Sequence, residues 1–191
     1  MRSKMLLWAL VFVSFPSIHC SNNNNSKNKI SVAKANSSAP PTSQMNSSRT
    51  IAQNISSDSS HSILAEAFQS TGLMETLSQA GPFTVFAPYN EAFRKLPPGT
   101  YESLMQKRKK DLANILSYHI IAGAIKTKEM KDGEKLRTLT GEELIITLRN
   151  NKVFVNGVHV INPDIEASNG IIYVADGILF PRNQSAAGHQ P

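Results

Sequence analysis

Apolar residues recur along this chain with two different periods, and the change of period divides it. From Ile63 the spacing is helical: Ile63, Leu64, Ala67 and Phe68 lie three and four apart, behind a cap at Asp58 or Ser59. Gly72 interrupts this helix, and Leu73, Met74 and Leu77 continue on a second, short one. Gly81-Pro82 stops the helical pattern. Phe83-Thr84-Val85-Phe86 is a β-rich run ended by Pro88, which has no N–H to give a ladder. Asn90 is a candidate N-cap for a short helix carrying Ala92, Phe93 and Leu96, broken by Pro97-Pro98-Gly99; Tyr101 to Met105 predict a further turn of helix. Asp111 to Ile121 predict the best single helix, with Leu112, Ile115, Leu116 and His119 on one face.

After Gly123 the period falls to two. Leu136 to Leu139, Glu143 to Arg149, Lys152 to Val155 and Val158 to Ile161 alternate as strands do. Asn150-Asn151 and Asn156-Gly157 separate these runs, and Asn-Gly between alternating segments signals a hairpin because both residues accept positive φ. Asn169-Gly170 precedes a last strand, Ile171 to Ala175, and Pro181 closes the pattern. A helical first half followed by a meandering β second half is an α+β plan, distinct from repeated βαβ units.

Outside residues 55–182 the texture differs. Residues 1–20 have the form of a secretory signal: Arg2 and Lys4, then an apolar run from Met5 to Phe15 that is too short to span a bilayer. Residues 21–54 are rich in Ser and Asn, with Pro40-Pro41, and lack the apolar groups that would offset chain entropy; a disordered linker is expected. The tail, 183–191, has the same character. Asn-x-Ser sequons occur at Asn24, Asn36, Asn46, Asn54 and Asn183. Cys20, the sole cysteine, has three readings: the lipidated first residue of a mature lipoprotein, the discarded last residue of the signal, or a free thiol at the mature N-terminus. Its uniqueness rules out an intramolecular disulfide, so an apolar core must hold the fold.

The formal charge of +6 suggests a nucleic-acid or membrane partner, but its distribution removes most of that suggestion. Residues 55–182 are electrically balanced. The surplus is Arg2, Lys4, Lys27, Lys29, Lys34 and Arg49.

Three segments together resemble the fasciclin-like (FAS1) domain family. Gly81-Pro82-Phe83-Thr84-Val85-Phe86-Ala87-Pro88-Tyr89-Asn90-Glu91-Ala92-Phe93 is similar to its first signature box. Tyr118-His119 is similar to its Tyr-His motif. Asn169-Gly170-Ile171-Ile172-Tyr173-Val174-Ala175-Asp176-Gly177-Ile178-Leu179-Phe180-Pro181 is similar to its second box. The resemblance covers about residues 55–182. It implies a single fasciclin-like domain, a wedge of two small β-sheets with helices packed along one side. It also implies an extracellular adhesion, matrix or cell-surface role without catalysis or cofactor. Tyr89 stands where the family commonly has Thr or Ser, and Tyr173 where the second box often carries His, so the polar contacts of those positions are expected to be missing.

Within some animal members the Tyr-His motif is implicated in integrin binding, which makes Tyr118 and His119 candidate partner-binding residues. The competing reading is a packed Tyr ring and a helix-end His that the dipole favours unaided. Lys107, Arg108, Lys109 and Lys110 form the only dense basic run. They are a candidate contact for an anionic polysaccharide or headgroup, or else a solvated helix start. Catalytic motifs are missing, and His61, His119 and His159 lack metal-ligand spacing with acidic partners. The expected partner is therefore an extracellular or cell-surface protein or polysaccharide, with membrane contact only through a lipid on Cys20. The alternative is a small-molecule or polysaccharide binding module of the periplasm or matrix.

Overall fold

The computed structural model describes residues 45–182. The expected signal, Cys20, the sequons at Asn24, Asn36 and Asn183, and the tail all lie outside these residues.

The helical half comprises α1 (Ile51–Ser57), a 3-10 turn (Ser59–His61), α2 (Ser62–Thr71), α3 (Leu73–Ser78), α4 (Asn90–Arg94), α5 (Thr100–Gln106) and α6 (Lys109–Tyr118). The strands are β1 (Phe83–Pro88), β2 (Ile120–Ala122), β3 (Lys135–Arg137), β4 (Glu143–Arg149), β5 (Lys152–Val155), β6 (Val158–Ala167) and β7 (Gly170–Ala175). They pair in the order β2-β1-β7-β6-β5-β4-β3. The two halves of this sheet share β6, which pairs with β5 through Val158 and His159 and with β7 from Val160 to Ala167. An isolated bridge between Ile121 and Thr138 brings the far edges together, so the sheet nearly closes on itself.

The two signature boxes lie side by side. β1 and β7 are parallel, with Phe83 opposite Gly170 and Pro88 opposite Ala175. Alternation along both strands then serves two cores. Val85, Ala87 and Ile172 join the helices in one, around Phe68, Leu77 and Leu116. Phe86, Ile171 and Tyr173 join β4, β5 and β6 in the other, around Leu144, Ile146 and Val155.

Four expectations need correction. The fold begins before Ile55: α1 starts at Ile51, which is fully buried, as is Asn54. Thr50 and Gln53 form a capping box, Gln53 N donating to Thr50 Oγ1 at 3.2 Å and Thr50 N to Gln53 Oε1 at 3.0 Å. Residues 45–54 are thus not linker. The Asn54 sequon is locked, its Nδ2 donating to Asn46 O and its Oδ1 accepting from Asn46 N.

Next, Asn90 does not cap its own helix. Its Oδ1 accepts from Ile63 N at 3.1 Å and its Nδ2 donates to Ser59 O, so it caps the start of α2 from across space. Third, the long helix is α6, from Lys109 to Tyr118, and the residues just beyond it become β2. Finally, β6 runs to Ala167 through Asn162-Pro163-Asp164. The register shifts there and Asp164 adopts φ 54°, a bulge that admits the proline.

Asn169 fastens these parts. Its Oδ1 accepts from Ile51 N of α1 at 2.8 Å. Its Nδ2 donates to Leu77 O at 2.8 Å and Gln79 O at 2.7 Å, at the end of α3. Its backbone carbonyl accepts from Phe83 N at the start of β1. Replacing Asn169 by Asp removes both donors and sets a carboxylate against two carbonyls. The expected loss is about 3 kcal/mol or more of unfolding free energy, measured by urea denaturation.

Candidate functional site

Tyr118 and His119 end α6, and both side chains point inward, 1% and 0% exposed. The Tyr118 hydroxyl donates to Glu143 O at 3.0 Å on β4 and accepts from Asn156 Nδ2 at 2.8 Å in the β5–β6 hairpin. Asn156 Oδ1 in turn accepts from Ile145 N. Tyr118 therefore braces α6 against the hairpin. The His119 ring lies between its own helix and the chain's last segment. Nδ1–H donates to Ile115 O at 2.7 Å, and Nε2 accepts from Leu179 N at 2.9 Å. Burial lowers its pKa to about 4 although the Ile115 carbonyl pulls the other way, so the ring is neutral at pH 7. Neither side chain presents a polar atom to a partner, and the surface contact expected of this pair is not available in the folded domain.

The basic run behaves differently. Lys107, Arg108, Lys109 and Lys110 are all exposed where α5 gives way to α6. Arg108 is the N-cap residue of α6 without a side-chain cap bond, and its Nε contacts Asp111 Oδ2 at 2.5 Å. Lys109 and Lys110 occupy the first helical positions, where the helix dipole disfavours cations.

Tyr173 does not lack polar partners. Its hydroxyl donates to Ile125 O or Asp164 Oδ1, both at 2.8 Å, and burial pushes its pKa up. Thr127 N also donates to Asp164 Oδ1, so Tyr173 ties the bulge of β6 to the 125–127 loop. At Tyr89 the expected loss does occur, since α4 starts behind it without a side-chain cap. At the opposite end of β1, Ala80–Pro82, Ala124, Lys126 and the turn from Glu166 to Ile171 line an open groove of about 530 Å³, with Lys126 Nζ and Glu166 Oε1 paired at 2.6 Å. Among the described residues no cluster of His, Cys, Asp or Glu is arranged to hold a metal, and no helix is long and apolar enough to cross a membrane.

A family model for the fasciclin domain matches residues 59–181. The chain belongs to the fasciclin family. Protein sll1483 of Synechocystis sp. is 43% identical over 136 residues, 71% of this chain and 75% of that protein. Transforming growth factor-beta-induced protein ig-h3 of Oryctolagus cuniculus is 39% identical over 139 residues, 70% of this chain but only 20% of that protein. Cell surface glycolipoprotein MPB83 of Mycobacterium bovis is 36% identical over 112 residues, 59% of this chain and 49% of that protein. A FAS1 domain pair from the insect cell adhesion molecule fasciclin I matches with a TM-score of 0.64 over 72% of this chain and 52% of that one; at 19% identity this is a likeness of fold.

In this fasciclin domain the Tyr-His motif is internal bracing. Its partners Asn156, Glu143 and Leu179 lie 25 to 60 residues away in sequence, and no local signal ties them to this motif. Thr84 was also missed as a polar anchor. Buried in β1, it donates to Gly123 O at 2.6 Å and accepts from Ile125 N, holding the loop after β2. Tyr118→Phe keeps the ring and removes its two hydrogen bonds. It is expected to lower stability by about 1–2 kcal/mol in a denaturant titration, whereas a residue serving only a partner would leave the midpoint unmoved.

Proposed function

We propose that this fasciclin domain is an exported interaction module that meets an acidic protein partner outside the cytoplasm through its basic corner, Lys107 to Lys110. The observation that carries this reading is a conflict of charge. Four exposed cations gather where α5 gives way to α6, and two of them, Lys109 and Lys110, occupy the first turn of α6, where the positive end of the dipole disfavours them. Lys107 at the C-cap of α5 and Arg108 paired with Asp111 have local roles, but folding gives Lys109 and Lys110 no reason to stand there. An acidic partner surface turns the same cluster into attraction and faster encounter. The names of the relatives, a cell adhesion molecule and a cell surface glycolipoprotein, support display outside the cell. A signal over residues 1–20 and a lipid on Cys20 would supply the route and the anchor.

A second reading, a binding module for a small molecule or polysaccharide, is favoured by the open groove beside Lys126 and Glu166. Binding assays on immobilised acidic proteins and on a glycan array separate the two. The triple change Lys107→Glu, Lys109→Glu, Lys110→Glu carries the test. Binding to the acidic partner should fall at least tenfold, while thermal stability stays within about 1 kcal/mol, the relief of the α6 dipole at 109 and 110 offsetting the loss of a cation at the α5 C-cap. Unchanged binding would move the contact face off this corner. Glycan binding abolished by Lys126→Glu but not by the triple change would favour the groove.

A further inference from the structure

The chain leaves β7 at Ala175 and runs back across the domain as a strap, residues 176–182. Its ends are tied near the surface. Asp176 N donates to His159 O, Lys95 Nζ donates to Asp176 O at 2.8 Å, and Arg182 N donates to Glu142 Oε2 at 3.2 Å. Its middle plugs both cores. Leu179, 1% exposed, sits in the strand core, while Ile178 and Phe180 pack on the helical core. Those two residues also cover a small apolar cavity whose other walls include Phe93, Leu96, Leu104 and Leu112.

At the centre of the strap the Leu179 amide donates to His119 Nε2. This ring has no freedom of protonation state. Nδ1 must carry its proton to donate to Ile115 O, and Nε2 must be a bare lone pair to accept from Leu179 N. A second proton on Nε2 would face the Leu179 N–H head on.

Nothing nearby offers the charged ring a counter-ion. β1 and β2 contribute no titratable side chain. Glu91 and Arg94 of α4, Glu102 of α5 and Arg182 of the strap are exposed, and Asp176 is half-buried; none bonds the ring. On α6 itself Lys109, Lys110 and Asp111 lie at the far end, and Tyr118 is committed to Glu143 and Asn156. Tyr173 of β7 is bonded to Ile125 and Asp164. Tyr101, whose hydroxyl burial holds up at about 12, shares the cavity and stays neutral in acid.

We propose that His119 is a proton-operated latch: protonation at Nε2 removes the acceptor for the Leu179 amide and releases residues 176–182, uncovering the apolar lining between α4, α5 and α6. The sign follows from linkage. The ring is neutral when latched and charges readily once released, so acid favours the open form. The effect begins as pH falls through about 6.5 and is complete near 4. His61, also fully buried, provides the control. Its Nδ1 faces Asp58 Oδ2 at 3.1 Å and its other neighbour is the Ala87 backbone on β1, so a proton on this ring breaks no tie to the strap.

Amide hydrogen exchange of the full chain, corrected for intrinsic rates, tests the latch. Between pH 7 and pH 5 the protection of the Leu179 amide should fall roughly 20-fold, the ratio set by ring pKa values near 4 closed and 6.5 open. The Phe154 and Val155 amides of β5 should keep their protection to within about threefold over the same range. Leu179 protection that does not change, or that falls in step with β5, overturns the proposal. In His119→Asn the strap should lose its pH dependence, and a persisting dependence overturns it equally. Should that variant not fold, ¹⁵N imidazole spectra of the unmodified chain decide. The His119 ring must take up its proton together with loss of strap protection; uptake near pH 6.5 with the strap still protected sinks the latch.

Discussion

One side chain amide, that of Asn169, sets the frame on which the two halves of this domain are assembled. Its three hydrogen bonds join α1, the end of α3 and the turn before β7, and its own carbonyl starts β1. The glycines of the two boxes make that closeness possible. A Cβ at Gly170, where φ is +154°, would stand 1.9 Å from Phe83 O, and one at Gly81 would stand 2.1 Å from Asn169 O. With both absent, β1 and β7 pair in parallel and in register. Their alternating side chains then divide the interior into a helical core and a strand core.

Much of this was legible in the residues. The boxes, the hairpin at Asn156-Gly157 and the helical face of α6 all carry local signals, and each appears as an element. What escaped was decided at a distance or disguised by composition. α1 hides in a Ser/Asn-rich stretch, although Thr50 and Gln53 with Ile51 and Ile55 gave a capping box and an apolar face that outweigh the polar surroundings. The second half of β6 hides behind Pro163, which a bulge accommodates. Asn90 opens a helix where a cap is expected, yet it is the first helical residue of α4 and spends its side chain on a helix 27 residues earlier, a choice only tertiary packing makes.

Of the two readings the sequence allowed for Tyr118 and His119, the packed ring and helix-end histidine match the observed burial. Tyr118 and His119 stand out in sequence because the fold relies on them. A residue pair that braces a helix end against a hairpin and a strap is specified as tightly as one that meets a partner. Burial separates the two cases: two inward rings with every polar atom bonded leave the exterior to other residues. The basic corner shows the opposite profile. It is exposed, its two lysines in the first turn of α6 gain nothing for that helix, and it sits in a domain whose overall charge is balanced. Function in such a module rests on the outer surface, and the interior fixes how that surface is shaped.

Asn169 is followed by Gly170, the pairing in which a peptide nitrogen most easily attacks the preceding side-chain amide, expelling ammonia through a cyclic imide. While the domain is folded, both amide hydrogens and the oxygen are occupied, and the ring cannot close. Each excursion to the open chain frees them. The aspartate or isoaspartate that results has lost the donors needed to return. Chemical ageing at Asn169 is thus gated by unfolding of the domain, and time spent denatured accumulates as chains that no longer refold.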